Sequence, residues 1–380
     1  MRLSRLILPI TIVLSLMGLG HYYLWVRLAS VTALPGPWPA AIGALLVVLA
    51  LSIPFAFFAT RRWSRARAEP VAWLAYTWMG LGLYLLLALA VSDLVRIGFA
   101  LADADRPEPR LVASLVVFAA TAIAFAGLVR VARGFVVRRV RVPLATLPAA
   151  GEGYTIVQLT DVHIGPTLGR DFAERVVRGA NALEPDLIVI TGDLVDGTVD
   201  ALRAHVQPLG QLRATDGVYF VTGNHEYYWD ADAWVGHVKS LGIRPLRNER
   251  VTVRGAFELA GVDDVTAAGM LRGHGEDMAA AVAGRDPALP LVLLAHHPRA
   301  AERAAAVGAD LQLSGHVHGG QMLPLGWLAR IREPHIAGLF RVRDMWLYVS
   351  QGTGYWGPPL RVGTTAEITH ITLVCEDAKR

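Results

Sequence analysis

Cysteine is nearly absent. The single residue of this type, Cys375, allows no intrachain disulfide in a chain of 380 residues. That fits a reducing compartment. Charge is missing from four long stretches of the first third: Leu6–Val26, Trp38–Phe58, Val71–Val91 and Leu111–Val129. About 20 apolar residues cross a hydrocarbon core as a helix, and the mean hydropathy of +0.40 is high for a soluble protein. A glycine-rich nucleotide loop and a kinase signature are not evident, nor are the paired broken helices in matching halves that mark a transporter.

The positive charge that gives a pI of 9.4 is missing from the larger part of the chain. Residues 1–149 carry 15 basic and 5 acidic residues, a net of +10, whereas residues 150–380 carry 21 and 27, a net of −6. An acidic domain lacks the electrostatic footprint for a phosphate polymer, so no nucleic-acid partner is expected.

The apolar stretches predict four transmembrane helices over residues 1–130, followed by a basic connector at 131–152. Arg2 and Arg5 before the first stretch suit a signal peptide. That stretch, however, exceeds the usual apolar core of roughly 7–15 residues, and three more follow it. Arg61, Arg62, Arg65 and Arg67 separate the second and third stretches, and Arg130, Arg133, Arg138, Arg139 and Arg141 follow the fourth. The positive-inside bias then predicts a multi-pass protein of the inner (plasma) membrane with the large C-terminal domain in the cytoplasm. Asp93 and Arg96, three residues apart, are expected to neutralise each other at the outer interface.

From residue 153 to 375 short β-rich runs alternate with amphipathic segments such as Asp171–Leu183, which reads as an α/β domain. Chemistry-bearing residues follow those runs directly. Asp161 and His163 come after TIVQLT, Asp193 after LIVITG, and Asn224, His225 and Glu226 after VYFVTG. His296 and His297 follow LVLLA, and His316 and His318 follow LQLSG. Ligands in open α/β sheets bind beyond the carboxyl ends of the strands, so five strand ends deliver carboxylates, imidazoles and one amide to one edge. This set contains no thiolate. It suits Mn²⁺, which we favour, or Fe, Zn²⁺ or Ni²⁺. Seven ligands exceed one tetrahedral ion and suit two divalent ions sharing a carboxylate, a clamp for in-line displacement at phosphorus.

In this order, the series D-x-H, G-D-x-x-D, G-N-H-E, H, G-H-x-H resembles the calcineurin-like metallophosphoesterases over about residues 154–370. With four leading spans, the chain looks most like their transmembrane subgroup. The fold this implies is α/β: four N-terminal transmembrane helices, then a β-sandwich flanked by helices. The resemblance implies that Asp161, His163 and His318 hold one metal, that Asn224, His296 and His316 hold the other, and that Asp193 bridges both. His225 would protonate the leaving oxygen. Many members have Asp where this chain has Glu226, whose expected part is to orient His225. Asp196 is expected behind the ligands or at a helix start. His297 rivals His296 as ligand. Arg361, at the end of the loop Gln351–Arg361, is a candidate to hold a phosphate oxygen or an ordinary surface residue. Asp263 and Asp264, at another strand end after FELAGV, read as surface turn residues, with a place lining the site as the alternative.

The activity so implied is hydrolysis of a phosphate ester or pyrophosphate on a phosphorylated small molecule or lipid. Some relatives of the subgroup cleave UDP-2,3-diacylglucosamine in lipid A synthesis. The rival readings are a membrane-tethered phosphodiesterase for a soluble nucleotide and a non-catalytic membrane scaffold.

Overall fold

A computed structural model of the chain describes residues 4–376, with side chains from Leu8 onward; residues 1–3, including Arg2, and residues 377–380 lie outside it. The chain divides into two units. One comprises Met1–Val129 with Gly357–Leu360, and the other Arg130–Trp356 with Arg361–Arg380.

The first unit contains α1 (Ser4–Trp25), which runs on through a wider turn at Val26–Ser30, then α2 (Trp38–Arg62), α3 (Arg65–Leu101) and α4 (Pro109–Ala132). All four helices are long and apolar enough to cross a membrane. A helix satisfies its own backbone polar groups, the condition for stability in lipid. Large apolar side chains such as Leu16, Val47 and Phe118 stand exposed, while the small residues Ala56, Ala72 and Ala75 are buried with Tyr76. Small residues at helix contacts let backbones approach closely. Asp93 does not pair with Arg96 as expected. Its carboxylate forms an ion pair with Arg27 and accepts from the Tyr23 hydroxyl at 2.5 Å, both from the first helical segment.

The second unit is two stacked sheets. The first has the order β1 (Val136–Leu144), β12 (Glu367–Cys375), β2 (Thr155–Leu159), β3 (Leu187–Thr191), β4 (Val218–Val221) and β5 (Arg244–Pro245). The second runs β10 (Gly338–Val342), β11 (Met345–Val349), β9 (Leu311–Ser314), β8 (Leu291–Leu294), β7 (Phe257–Gly261) and β6 (Glu249–Val253). Side chains alternate between faces of a strand, and this sorts the core. Ile156, Leu187 and Val189 of the first sheet pack against Leu259, Val292 and Leu313 of the second, filling the space between them. Their neighbours Val157, Ile188 and Ile190 face outward under Phe172, Val176 and Trp234 from flanking helices. On the other side Leu291 and Leu293 lie under Ala301 and Ala304. Strands buried on both faces read as unbroken apolar runs, which is why the sequence pattern located them.

The stretch 131–152, expected as a connector, contains β1. This strand pairs in parallel with β12 over nine residues, from Val136 opposite Glu367 to Leu144 opposite Cys375. Arg138, counted among the topogenic arginines, reaches the buried Glu367 carboxylate at 3.0 Å.

Candidate metal centre

Five strand ends, β2, β3 and β4 from one sheet and β8 and β9 from the other, converge at one edge of the sandwich. The backbone there is strained. A non-glycine residue with φ near +50° is uncommon. Yet Asp161 (φ 50°), His163 (50°), Asp193 (52°), His316 (70°) and His318 (53°) all adopt it. Each such residue costs of order 1–3 kcal/mol and persists only where the surroundings enforce it. Five of the seven expected ligands are therefore held in a conformation that packing alone does not favour. Two glycines make room beside the carboxylates. A Cβ on Gly223 would lie 2.2 Å from Asp193 Oδ1, and one on Gly315 would lie 2.2 Å from Asp161 Oδ2.

Three groups of side chains have ligand atoms within 4.8 Å of one another: Asp161, His163 and His318; His163, Asp193 and His225; and Asp193, His296 and His316. His163 Nε2 faces His318 Nε2 at 3.1 Å, and His318 Nε2 lies 3.3 Å from Asp161 Oδ1. His296 Nδ1 lies 2.8 Å from the Thr191 carbonyl oxygen and so donates to it, while Nε2 lies 3.1 Å from Asp193 Oδ2; against burial, that carboxylate raises the His296 pKa well above its ordinary value. His316 Nδ1 lies 3.0 Å from Asn224 Oδ1. Imidazole nitrogens and carboxylate oxygens that converge at these distances can hold a cation between them, so the donor set fits metal ions. Its oxygen and imidazole atoms suit a borderline divalent ion.

Electrostatics follow from that crowding. Burial alone would depress His225, but the Asp193 and Asp196 carboxylates override it and raise its pKa to about 9. Burial, then the neighbouring His296, depress His316 to about 3. Burial, then Asp193, push Glu226 up to about 7.

The expected residues do not all take the expected parts. His225 is oriented by Asp196 rather than by Glu226. Asp196 Oδ1 lies 2.5 Å from His225 Nδ1, and its Oδ2 lies 3.1 Å from His163 Nδ1. Glu226 instead accepts from the backbone N–H of Gly223 (2.6 Å), Asp193 (3.1 Å) and Leu194 (2.8 Å), tying together the two turns that present Asp193 and Asn224. His297 lies outside the three groups and stacks on His316 with ring centroids 3.7 Å apart.

Arg361 is 1% exposed, so it is not an ordinary surface residue. Its guanidinium donates to the carbonyls of Gln351, Gly352, Gly354, His318 and Thr365, with the shortest contacts, to Gln351 and Gly354, at 2.7 Å. It ties the loop Gln351–Arg361 to the turn that carries His318. Asp263 and Asp264 are buried, not surface turn residues. Asp263 holds Arg247 through two contacts of 2.8 and 2.6 Å, and Asp264 caps Thr266.

Two aromatic residues at the site were missed. Tyr228 and Trp356 are half exposed, with ring centroids 5.0 and 5.5 Å from His225 in edge-on geometry. Their positions directly after G-N-H-E and inside the glycine-rich loop were the available signal.

A family model described as calcineurin-like phosphoesterase matches residues 154–320. The chain belongs to the calcineurin-like metallophosphoesterases and is a metal-binding phosphoesterase hydrolase. Its similarity also extends over the apolar helices. It is 39% identical over 391 residues to a Bos taurus protein named transmembrane protein with metallophosphoesterase domain, covering 94% of this chain and 87% of that one. The Danio rerio protein of the same name is 36% identical over 384 residues with the same coverage. An uncharacterized metallophosphoesterase of Helicobacter pylori (strain ATCC 700392 / 26695) is 36% identical over 223 residues, covering 58% of this chain and 59% of that one.

Proposed function

We propose that residues 1–130 form a membrane anchor and residues 153–375 a two-metal hydrolase of phosphate esters or pyrophosphates that works at the cytoplasmic face of the inner membrane. In this reading Asp161, His163 and His318 hold one ion, Asn224, His296 and His316 the other, and Asp193 bridges them, with Mn²⁺ the favoured metal. When bound, such a pair activates water and neutralises charge developing on the phosphoryl oxygens. The observation that supports the reading is the convergence of imidazole nitrogens on the Asp161 and Asp193 carboxylates.

The protein's own part in the reaction falls to His225. Its Nε2 lies 3.8 Å from Asp193 Oδ2, so it points at the reacting centre, and Asp196 fixes its other nitrogen. A protonated His225 delivers its proton to the departing oxygen. Asp196 then stabilises the orientation of the neutral ring. The ordered loop Gln351–Arg361 places Trp356 at the mouth, where it and Tyr228 shield the leaving group from water.

The tether bears on the substrate class. Three residues separate Ala132, the end of α4, from Val136, the start of β1. At about 3.3–3.6 Å per residue the domain stays close to the bilayer surface. This supports an amphiphilic phosphate substrate, with UDP-2,3-diacylglucosamine the leading candidate and its two acyl chains left in the lipid. The exposed Tyr228 and Trp356 rings beside His225 favour one second reading, a soluble nucleotide as substrate. The intact ligand set opposes a non-catalytic scaffold. The test is a Mn²⁺ screen of the full chain in lipid nanodiscs against monoesters, diesters, nucleotide pyrophosphates, and UDP-diacylglucosamine with its deacylated form. A preference for the acylated compound is expected. Equal or greater turnover of the deacylated form would remove the lipid reading.

A further inference from the structure

The strongest feature outside the metal site is a set of apolar side chains turned to water on the phosphoesterase unit. The short helix Leu325–Ala329 and the turn after it expose Trp327 (63%), Leu328 (62%) and Ile331 (80%), with Leu325 partly exposed beside them. Positions 327, 328 and 331 share one helical face. An exposed cluster of this kind marks an interaction surface.

The segment is firmly held. Met322 before it and Glu333 and Ile336 after it are buried, and Glu333 is paired with Arg299. Gly326 packs directly on Gly320, where a Cβ would meet the Gly320 Cα at 3.2 Å. Gly320 is two residues from His318. The apolar face is thus displayed on a rigid mount beside the metal site.

Its chemistry suits lipid. Arg330 and Arg332 are exposed in the same turn, in a domain whose sequence from residue 150 carries a net charge of −6. A basic pair at the C-terminal end of an apolar cluster, against an acidic background, complements an anionic surface. Trp is the side chain enriched where hydrocarbon meets headgroups. The bilayer is also always within reach, because the domain starts three residues after α4. We propose that Trp327, Leu328 and Ile331, flanked by Arg330 and Arg332, form a docking surface that seats the phosphoesterase domain on anionic lipid. The apolar side chains enter the headgroup boundary as those of an interfacial helix do, and the arginines meet lipid phosphates. This surface stands independently of which phosphate compound the site cleaves.

The test uses the full chain, with Cys375→Ser removing the native thiol, reconstituted in nanodiscs of phosphatidylcholine with or without phosphatidylglycerol. Ile331→Cys and, as a solvent-facing control, Asp200→Cys, whose side chain is 89% exposed, are labelled with the fluorophore NBD. The expected result is blue-shifted emission at position 331, quenched at least twofold more by doxyl-labelled lipid than at position 200. Iodide in the water should quench in the reverse order. Arg330→Glu with Arg332→Glu should reduce lipid quenching at 331 in anionic nanodiscs and leave it unchanged in neutral ones. Equal lipid quenching at 331 and 200 overturns the proposal. So does a blue shift at 331 without lipid quenching that depends on protein density, since that places a second copy of the chain on this face.

Discussion

Asp196 offers the sharpest test of how the site is wired. One carboxylate serves two imidazoles, at 3.1 Å from His163 Nδ1 and 2.5 Å from His225 Nδ1. Asp196→Asn keeps the volume but leaves one acceptor oxygen and turns an NH₂ group towards the second ring. A hydrogen bond to a charged group is worth roughly 1.5–3 kcal/mol, against about 1 kcal/mol for a neutral one. The ring that loses its charged bond therefore loses roughly 1.5–3 kcal/mol, about 10–150-fold, and the ring left with a neutral one roughly 0.5–2 kcal/mol. The loss should fall on two readouts. Turnover of an ester with a poor leaving group should drop through His225, and Mn²⁺ affinity should drop through His163 by the 10–100-fold typical of groups behind a ligand. A third readout concerns pH. The pKa of His225 is raised to about 9, by Asp193 first among the charges and then by Asp196, acting against burial. The imidazolium is thus present at neutral pH and lost as pH rises through about 9. Without the Asp196 charge the alkaline fall in kcat should begin at lower pH. The assay compares phenyl and nitrophenyl diesters across pH at saturating Mn²⁺, with metal content measured separately. A variant whose turnover of the phenyl ester stays within threefold of the parent, with an unmoved alkaline limb, would refute this wiring.

Other outcomes follow from the same geometry. His225→Ala should keep its metals yet lose about 10²–10⁴-fold in turnover, with less loss on a nitrophenyl ester whose oxygen needs no proton; equal losses on both would take His225 out of the acid role. The full chain under Mn²⁺ excess should hold about two ions by elemental analysis, and Asp193→Ala nearly none, so a parent value of one or zero defeats the two-metal reading. Arg361→Met should lower both Tm and metal content, because the carbonyls of the loop lose a buried donor at roughly 1–3 kcal/mol for each one left unpaired. An unchanged Tm with a raised KM would return Arg361 to phosphate binding. Alkaline phosphatase fused at the C-terminus should be inactive, and activity in the periplasm would reverse the proposed orientation.

Much of the fold was legible because its signals are local. Strands buried on both faces leave unbroken apolar runs, and each run ends directly before its ligands. Membrane helices of about 20 residues leave an equally plain trace. What escaped were properties set by distant partners. VVRRVRVPL alternates as a strand does, but its arginines fitted the positive-inside rule so well that β1 was read as a connector. Its strand character depends on β12, far along the chain. Arg361 reads in the sequence as the end of a glycine-rich loop, free for solvent or a phosphate oxygen, and such a loop gives no sign of burial. Only the closed loop supplies the ring of carbonyls that makes burial tolerable. Asp196 lies behind a ligand as expected, on His163, but that it also holds His225 in place of Glu226 was hidden for the same reason. Adjacency in sequence pointed to Glu226 as the partner of His225, whereas the left-handed turn at Asp193 brings Asp196 to the ring.

The pairing of β1 with β12 bears on how the protein is made. The ribosome delivers β1 directly behind the last membrane helix, and β12 only after every candidate ligand has been synthesised. Until then β1 has no neighbour, since it joins β2 solely through β12. Because β12 lies between β1 and β2, this sheet is incomplete until translation has passed Cys375. A chain cut before Glu367 would retain all seven expected ligands and still leave the strand behind α4 unattached to the rest of the sheet.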